Sequence, residues 1–458
     1  MCPTLGVELI HRGRGQVIQA QSPSQAPSWQ GMSYCQVYSA LVRSESSNIM
    51  PREQVSGRSG GAPALPAEAP AVGSPQAVLP HDQLHDQRTR RLVPIDNLKA
   101  VLVAWVIAGH AFLGYAAMGG WPYDEVAETT LPRTLELLLE TVIGPTALFV
   151  IGTFFFLSGL LAPHSLAQHG PGGFVRQRLL RLGLPWLLFT LLIWPLMMWV
   201  AYRAAGYPLP IWQAWQARQP FLDSGPLWFV QILLYVSLAH ALLSWIVHWH
   251  NVHPRVALAL VTAALAIAAA SFIIRLWFPA RSQQVLDLHV WQWPQCIGLY
   301  VLGVLFASEN WAQNVPRRAA RRGGIAVLLA IALGVGVMAI LGVSDLKRYD
   351  GPFLGGWHWQ ALGLDVVEAT LVVGGSVWLL AWAQRWLTSR AVRLTRLARS
   401  AYLAYLLQVP VLIGLEIAGR LLPWPAAVKA VVVAAFAVAG SFGLAWFLTH
   451  RARGDRSA

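Results

Sequence analysis

Ten apolar runs, each near the length of a membrane-spanning helix, dominate the sequence. They lie at about 92–117, 138–162, 179–202, 226–247, 256–278, 294–311, 325–343, 361–384, 401–421 and 426–448. A helix needs roughly 20 residues to cross a hydrocarbon layer of about 30 Å, and inside lipid its backbone polar groups have to be satisfied within the protein. An ordinary soluble chain carries about a quarter charged residues, whereas here 12% are charged and 55% hydrophobic. The fold class that follows is an all-α membrane protein, a polytopic bundle of about ten transmembrane helices seated in the lipid bilayer.

Lys and Arg accumulate on the cytoplasmic side of membrane proteins. If the first span starts inside, the inner segments hold 19 basic residues and the outer ones 8. Both termini are therefore expected in the cytoplasm. The arginines are scattered over separate loops, so the net charge of +13 reads as a topology and anionic-lipid signal and not as a nucleic-acid footprint.

Residues 1–86 are rich in Pro, Gly, Ser, Ala and Gln, without apolar periodicity or the apolar core of a signal peptide. They read as a disordered cytoplasmic extension, and Met32 and Met50 leave a later start open. Residues 87–450 form the membrane domain and 451–458 a basic cytoplasmic tail. Cys2, Cys35 and Cys296 lie far apart, supporting neither a disulfide framework nor a zinc site. His248, His250 and His253 cluster in "HWHNVH" with no carboxylate or Cys beside them, so no metal site is expected.

An ionisable side chain at membrane depth is costly and marks function, unless it lies near a span end and snorkels to the headgroups. In the first span Asp96 is followed by Lys99 and His110. Eleven residues at 100° each return to the same helix face, so Lys99 and His110 are aligned, roughly 16 Å apart along the axis. Glu140 in the second span is a candidate carboxylate for orienting His110. Arg178 and Arg181 open the third span, and guanidinium groups there suit either positive-inside anchoring or phosphate.

Trp228, in "SGPLWFVQILLY", fits either an interfacial belt or a sugar-facing mouth. Asp365 and Glu368 share a face near the outer end of the eighth span. The outer segments "HVWQW" (289–293) and "GWHWQ" (356–360) combine aromatic rings with hydrogen-bonding neighbours, as carbohydrate sites do. Glu416 and Arg420 are spaced as an ion pair one turn apart.

Five of these stretches, in this order, resemble the acyltransferase 3 family of membrane proteins: "RLVPIDNLKAVLVAWVIAGH" (91–110), "FFFLSGLL" (154–161), "RQRLLRLGLP" (176–185), "LWFVQILLY" (227–235) and "SAYLAYLLQVPVL" (400–412). The resemblance covers roughly residues 88–450. It implies an integral-membrane O-acyltransferase moving an acyl group, acetyl or succinyl, from cytoplasmic acyl-CoA (acetyl-CoA or succinyl-CoA) as co-substrate to a hydroxyl of a carbohydrate or glycan. A bacterial inner membrane is the setting it implies.

Carried over by position, His110 is the catalytic base or acyl relay and Asp96 the acidic residue before it, while Glu140, which no motif supplies, is the candidate for the role of the acid that the family places before its Phe pair. Lys99, Arg178 and Arg181 would hold the CoA phosphates. Ser158, Trp228, Asp365, Tyr402 and Gln408 are the candidates for the acceptor. The sequence departs from the family twice. No acid precedes the Phe pair in "VIGTFFF", and Gln408 stands where the family has His. The alternative is a transporter or flippase for a sugar-containing or lipid-linked substrate, which predicts an internal repeat of the span pattern that the sequence does not show.

Overall fold

The computed structural model describes residues 81–116, 121–123, 130–207, 210–216, 222–244, 255–282, 284–341, 351–388 and 397–454. Contacts divide the chain between residues 78 and 79, and the unit 3–78 lies outside the described residues. So do the "HWHNVH" histidines, Cys2 and Cys35.

Among the described residues all regular structure is helical. The helices are α1 (His81–Leu113), α2 (Arg133–Arg178), α3 (Leu184–Leu188), α4 (Trp194–Ala204), α5 (Ile211–Gln216), α6 (Trp228–Leu243), α7 (Val256–Arg275), α8 (Trp293–Ala307), α9 (Arg317–Leu341), α10 (Trp359–Trp386), α11 (Ala401–Gly419) and α12 (Ala426–Gly454). We call the end of the bundle at which the first span begins proximal and the other end distal.

Nine of the described segments are long and apolar enough to cross a membrane, where the apolar runs predict ten. The difference lies in 149–204, a stretch of 56 residues, nearly three times what one crossing needs. It is broken at Gly170, whose φ of 67° is left-handed and suits glycine, which has no Cβ to clash. Ser165 Oγ donates to Gln177 Oε1 at 3.2 Å, although a straight helix would hold residues twelve apart about 18 Å from one another. The chain folds back at Gly170, so this segment supplies two crossings.

The second arm is not plain α-helix. It carries π-helical turns at Leu179–Gly183 and Phe189–Ile193. Pro185 and Pro195 lack the N–H that an α-helix would place on the carbonyls of Arg181 and Leu191, and both positions fall inside the π turns.

Helix contacts place α2 against α8, α6 and α10, and α1 against α11 and α12. The α2–α8 approach is set by two glycines. A Cβ on Gly159 would stand 2.1 Å from the Tyr300 carbonyl oxygen, and one on Gly303 2.2 Å from that of Phe156. Small residues allow such backbone proximity in lipid, where burial of apolar surface between helices gives little driving force. Gly159→Val should therefore destabilise the protein by about 1–3 kcal/mol, the range for an overpacked core. Gly336→Ala, with nothing within 4 Å of the added carbon, should be neutral, and thermal unfolding in detergent compares the two.

Polar clips tie loops to the helices. Gln384 Nε2 donates to the Trp311 carbonyl and its Oε1 accepts from Val315 N–H, both at 2.8 Å. Asn97 Nδ2 donates to the Leu387 carbonyl at 2.8 Å. The outer surface is apolar: Leu258, Val261 and Leu265 on α7 and Leu328 and Leu329 on α9 are exposed, a surface that suits lipid and not water.

Candidate active site

Three polar groups of side chains gather inside this apolar bundle. The proximal group is cationic. Lys99 Nζ lies 3.9 Å from Asp96 Oδ1, a pair about one-third exposed at 33% and 34%. Arg178 is within electrostatic reach of Lys99, Arg181 and His240. Its guanidinium stands 4.7 Å over the Phe174 ring. Arg178 Nε is buried and has no hydrogen-bond partner among the described residues. His240 Nδ1 lies 3.0 Å from the Tyr300 hydroxyl. A cavity of about 300 Å³, lined by His169, Gly173, Arg176, Gln177, Leu180 and Arg181, opens beside the Gly170 turn. Three cations facing one carboxylate suit an anion with several oxygens.

The central group surrounds His110, near the end of α1. Its Nδ1 lies 3.0 Å from Gln408 Oε1 on α11. An amide oxygen only accepts, so Nδ1 carries the proton and Nε2 presents a lone pair. The imidazole stacks on Trp121, with centroids 4.8 Å apart and planes at 14°. Trp121 Nε1 donates to both oxygens of buried Glu416, at 3.1 and 3.0 Å. Tyr123 donates to the Glu416 carbonyl at 3.0 Å. One ring edge and one ring face of His110 are thus fixed by groups on α11 and on the loop after α1. The arrangement can position a neutral imidazole as a base or nucleophile.

The distal group has two parts. Arg275 bridges Asp365 and Glu368, at 2.5 Å to each, and its guanidinium carbon lies 5.4 Å from the Trp291 ring centroid. Beside Trp291, His289 Nε2 is 3.2 Å from Asp287 Oδ1. Its ring meets Trp228 edge-on, with centroids 4.7 Å apart. Asp287 Oδ2 accepts from Ser224 N–H and Oγ at 3.4 and 3.3 Å, and Asp287 is hydrogen-bonded to Asp223. Asp223 accepts from Trp194 Nε1 at 2.8 Å and from Gly225 N–H at 2.7 Å. Burial, with the Asp223 carboxylate next to it, pushes Asp287 up to about 9, so it keeps its proton at neutral pH. Burial pushes the His289 imidazole down to about 4, so it is neutral there.

The structure thus brings Asp96, Lys99, Arg178 and Arg181 together and joins His110 to Gln408. The side chain of Glu140 lies outside the described residues, and the partner found for His110 is an amide. Ser158 is half-buried beside Gly159. Trp228 is half-buried, with its ring edge-on to that of His289. Tyr402 is 36% exposed. The tyrosine of that motif that enters the bundle is Tyr405, whose hydroxyl donates to the Pro226 carbonyl and whose ring packs 5.1 Å from Phe229. Asp365 is held by Arg275. The spacing of Glu416 and Arg420 suggests an ion pair, yet Glu416 is engaged by Trp121 and Arg420 Nη1 reaches the Ala204 carbonyl. Trp121, Glu416, Tyr405, His240, Asp223 and Asp287 were not candidates in the sequence, because their neighbours come from other helices.

A family model described as an acyltransferase domain matches residues 93–450. The chain belongs to the acyltransferase 3 family. Its match spans α1 through nearly all of α12, so all three polar groups lie within the acyltransferase 3 domain. The protein is a multi-pass membrane acyltransferase. No curated protein and no solved structure matches the chain significantly.

Proposed function

We propose that this acyltransferase 3 protein moves an acetyl or succinyl group from cytoplasmic acyl-CoA to a hydroxyl of a carbohydrate or glycan, in a bacterial inner membrane. The observation that carries the reading is His110, held by Gln408 and Trp121, on the same helix face as Lys99 in the cation cluster. The separation of roughly 16 Å along the helix axis suits a long thioester arm, with its phosphates at the proximal end and its carbonyl at the imidazole. Ten crossings, an even number, return the chain to the side on which it began, and the basic residues favour the cytoplasm for that side.

In the chemistry proposed, the acceptor oxygen forms a bond to the acyl carbon as the bond from that carbon to sulfur breaks. His110 Nε2 takes the hydroxyl proton and returns it to the sulfur, so CoA leaves as the thiol. If Nε2 instead attacks first, the bond from the acyl carbon to sulfur breaks and CoA leaves as the thiolate; the acceptor hydroxyl then displaces the imidazole, its proton passing to the thiolate, and the acyl-histidine between the two steps is trapped on rapid acid quench. Gln408 serves either route by keeping the proton on Nδ1.

The cation cluster gives the test. Arg178→Ala and Lys99→Ala should each raise the KM for acyl-CoA by about 10- to 100-fold, as expected for losing a hydrogen bond to a charged group, with a much smaller change in kcat. Initial rates across an acyl-CoA titration in membranes check this. An unchanged KM in both variants would remove the cluster from donor binding.

A further inference from the structure

We propose that Glu416 is a positioning residue for acyl transfer, acting on His110 through the indole of Trp121. The proposal rests on the acyl-transfer reading for what the imidazole does, and deepens it by naming what sets the second orientation of that ring. Glu416 itself takes no part in the bond changes described above.

One hydrogen bond does not fix an imidazole. With Gln408 Oε1 on its Nδ1, the His110 ring can still turn about the line joining those two atoms. Nε2 lies off that line, so turning swings the atom that would meet the acceptor hydroxyl. A face contact removes this freedom. The Trp121 ring lies over the imidazole nearly parallel to it, at 4.8 Å and 14°, and the contact fixes His110 only as far as the indole is itself held. Glu416 holds it: both carboxylate oxygens accept from Trp121 Nε1, at 3.1 and 3.0 Å. An indole has no other polar atom by which a partner could set its plane. A reacting group has to be kept within about 0.5 Å and 10–20° of the productive geometry, by neighbours whose own conformations are locked.

The carboxylate is placed by the same segment that it organises. Glu416 is buried. A Cβ on Gly114 would stand 2.5 Å from Glu416 Oε1, so a bare glycine just after α1 leaves the space that the carboxylate takes. Tyr123, two residues after Trp121, donates to the Glu416 backbone carbonyl at 3.0 Å. Pro122 between them limits the Trp121 backbone to extended conformations. Gly114, Trp121 and Tyr123 all follow His110 in the chain, so the segment leaves His110, meets Glu416 and lays an indole back on the His110 ring. Gln408 and Glu416 are eight residues apart on α11, about 12 Å along its axis. One helix thus governs an edge and a face of the imidazole from two separate points.

Rates are read with labelled acetyl-CoA and succinyl-CoA in membranes containing the full chain at matched expression. Glu416→Leu, which fills much of the space without an acceptor, should lower kcat by about 10- to 100-fold, the scale of a misplaced reacting group. The KM for acyl-CoA should not change. Glu416→Gln, whose amide oxygen still accepts from the indole, should recover most of the loss. Trp121→Phe keeps a ring and removes the bond, so it should fall as far as Glu416→Leu, and the double variant no further, because the two act in series. The ring itself gives a second readout, by solid-state NMR of protein carrying ring-labelled histidine, with the His110 signal identified by its loss in His110→Ala. Nδ1 should carry the proton in wild type and in Glu416→Leu alike, while the Cε1–H dipolar coupling should be that of a rigid ring in wild type and averaged by motion in Glu416→Leu. A wild-type kcat in Glu416→Leu, a Gln variant no better than Leu, additive losses in the double variant, or a ring equally rigid in both proteins would overturn the proposal. Wild-type protein that transfers no acyl group, while its His110 ring loses order in Glu416→Leu, would overturn the acyl-transfer reading and leave the positioning of His110 by Glu416 standing.

Discussion

His110→Ala lowers turnover by about 10²- to 10⁴-fold, the contribution typical of a positioned general base. The KM for acyl-CoA should stay within about twofold of wild type, because the proposed donor site puts the phosphates three turns away, at Lys99 and Arg178 and not at the imidazole. The protein stays folded: the lost contacts are one hydrogen bond to Gln408 and the stack on Trp121. Gln408→Ala gives the intermediate case. It leaves the imidazole in place but frees its tautomer, so the loss should be smaller and confined to kcat. Initial rates of acyl transfer in membranes of matched expression check both, and wild-type rates in His110→Ala would end any catalytic role for this residue.

Arg275→Ala destabilises the fold by about 3–5 kcal/mol, the usual consequence of removing one partner from a buried ionic cluster. Asp365 and Glu368, with side chains 0% and 14% exposed, converge on this one guanidinium. Without that guanidinium two carboxylates stand side by side on one face of α10. The compensating experiment separates charge from packing. Arg275→Leu combined with Asp365→Leu and Glu368→Gln should recover most of the loss, since replacing a whole buried cluster with apolar groups is often close to neutral. Thermal unfolding in detergent reads both variants. If the single variant unfolds at the wild-type temperature, the cluster does not hold α7 to α10.

What was legible in the sequence depended on contacts within one helix. The alignment of Lys99 with His110 follows from helical repeat alone, and the order of five motifs identified the family that the match over 93–450 establishes. The apolar runs gave ten spans because each was read separately, and the turn at Gly170 shows why 149–204 holds two of them. What was not legible depended on which helices touch. The bond between His110 and Gln408 joins residues 298 apart, and the Trp121–Glu416 bond joins residues 295 apart. No periodicity encodes such pairs. For Glu416 the spacing of i and i+4 points to Arg420, but it says only which residues are neighbours on one helix; the indole that reaches Glu416 comes from a residue 295 positions away. Tyr402 and Tyr405 show the same limit: both lie in one motif, yet only Tyr405 faces the loop at Pro226.

The measurement that bears most directly on the central claim is transfer from labelled acetyl-CoA and succinyl-CoA in membranes containing the protein. The account predicts that label passes from one of these donors to a glycan, that the product is an ester released by mild alkali, and that His110→Ala membranes give none above background. Movement of a sugar or lipid-linked sugar across the membrane at the same rate with and without acyl-CoA, with no labelled ester formed, would contradict it.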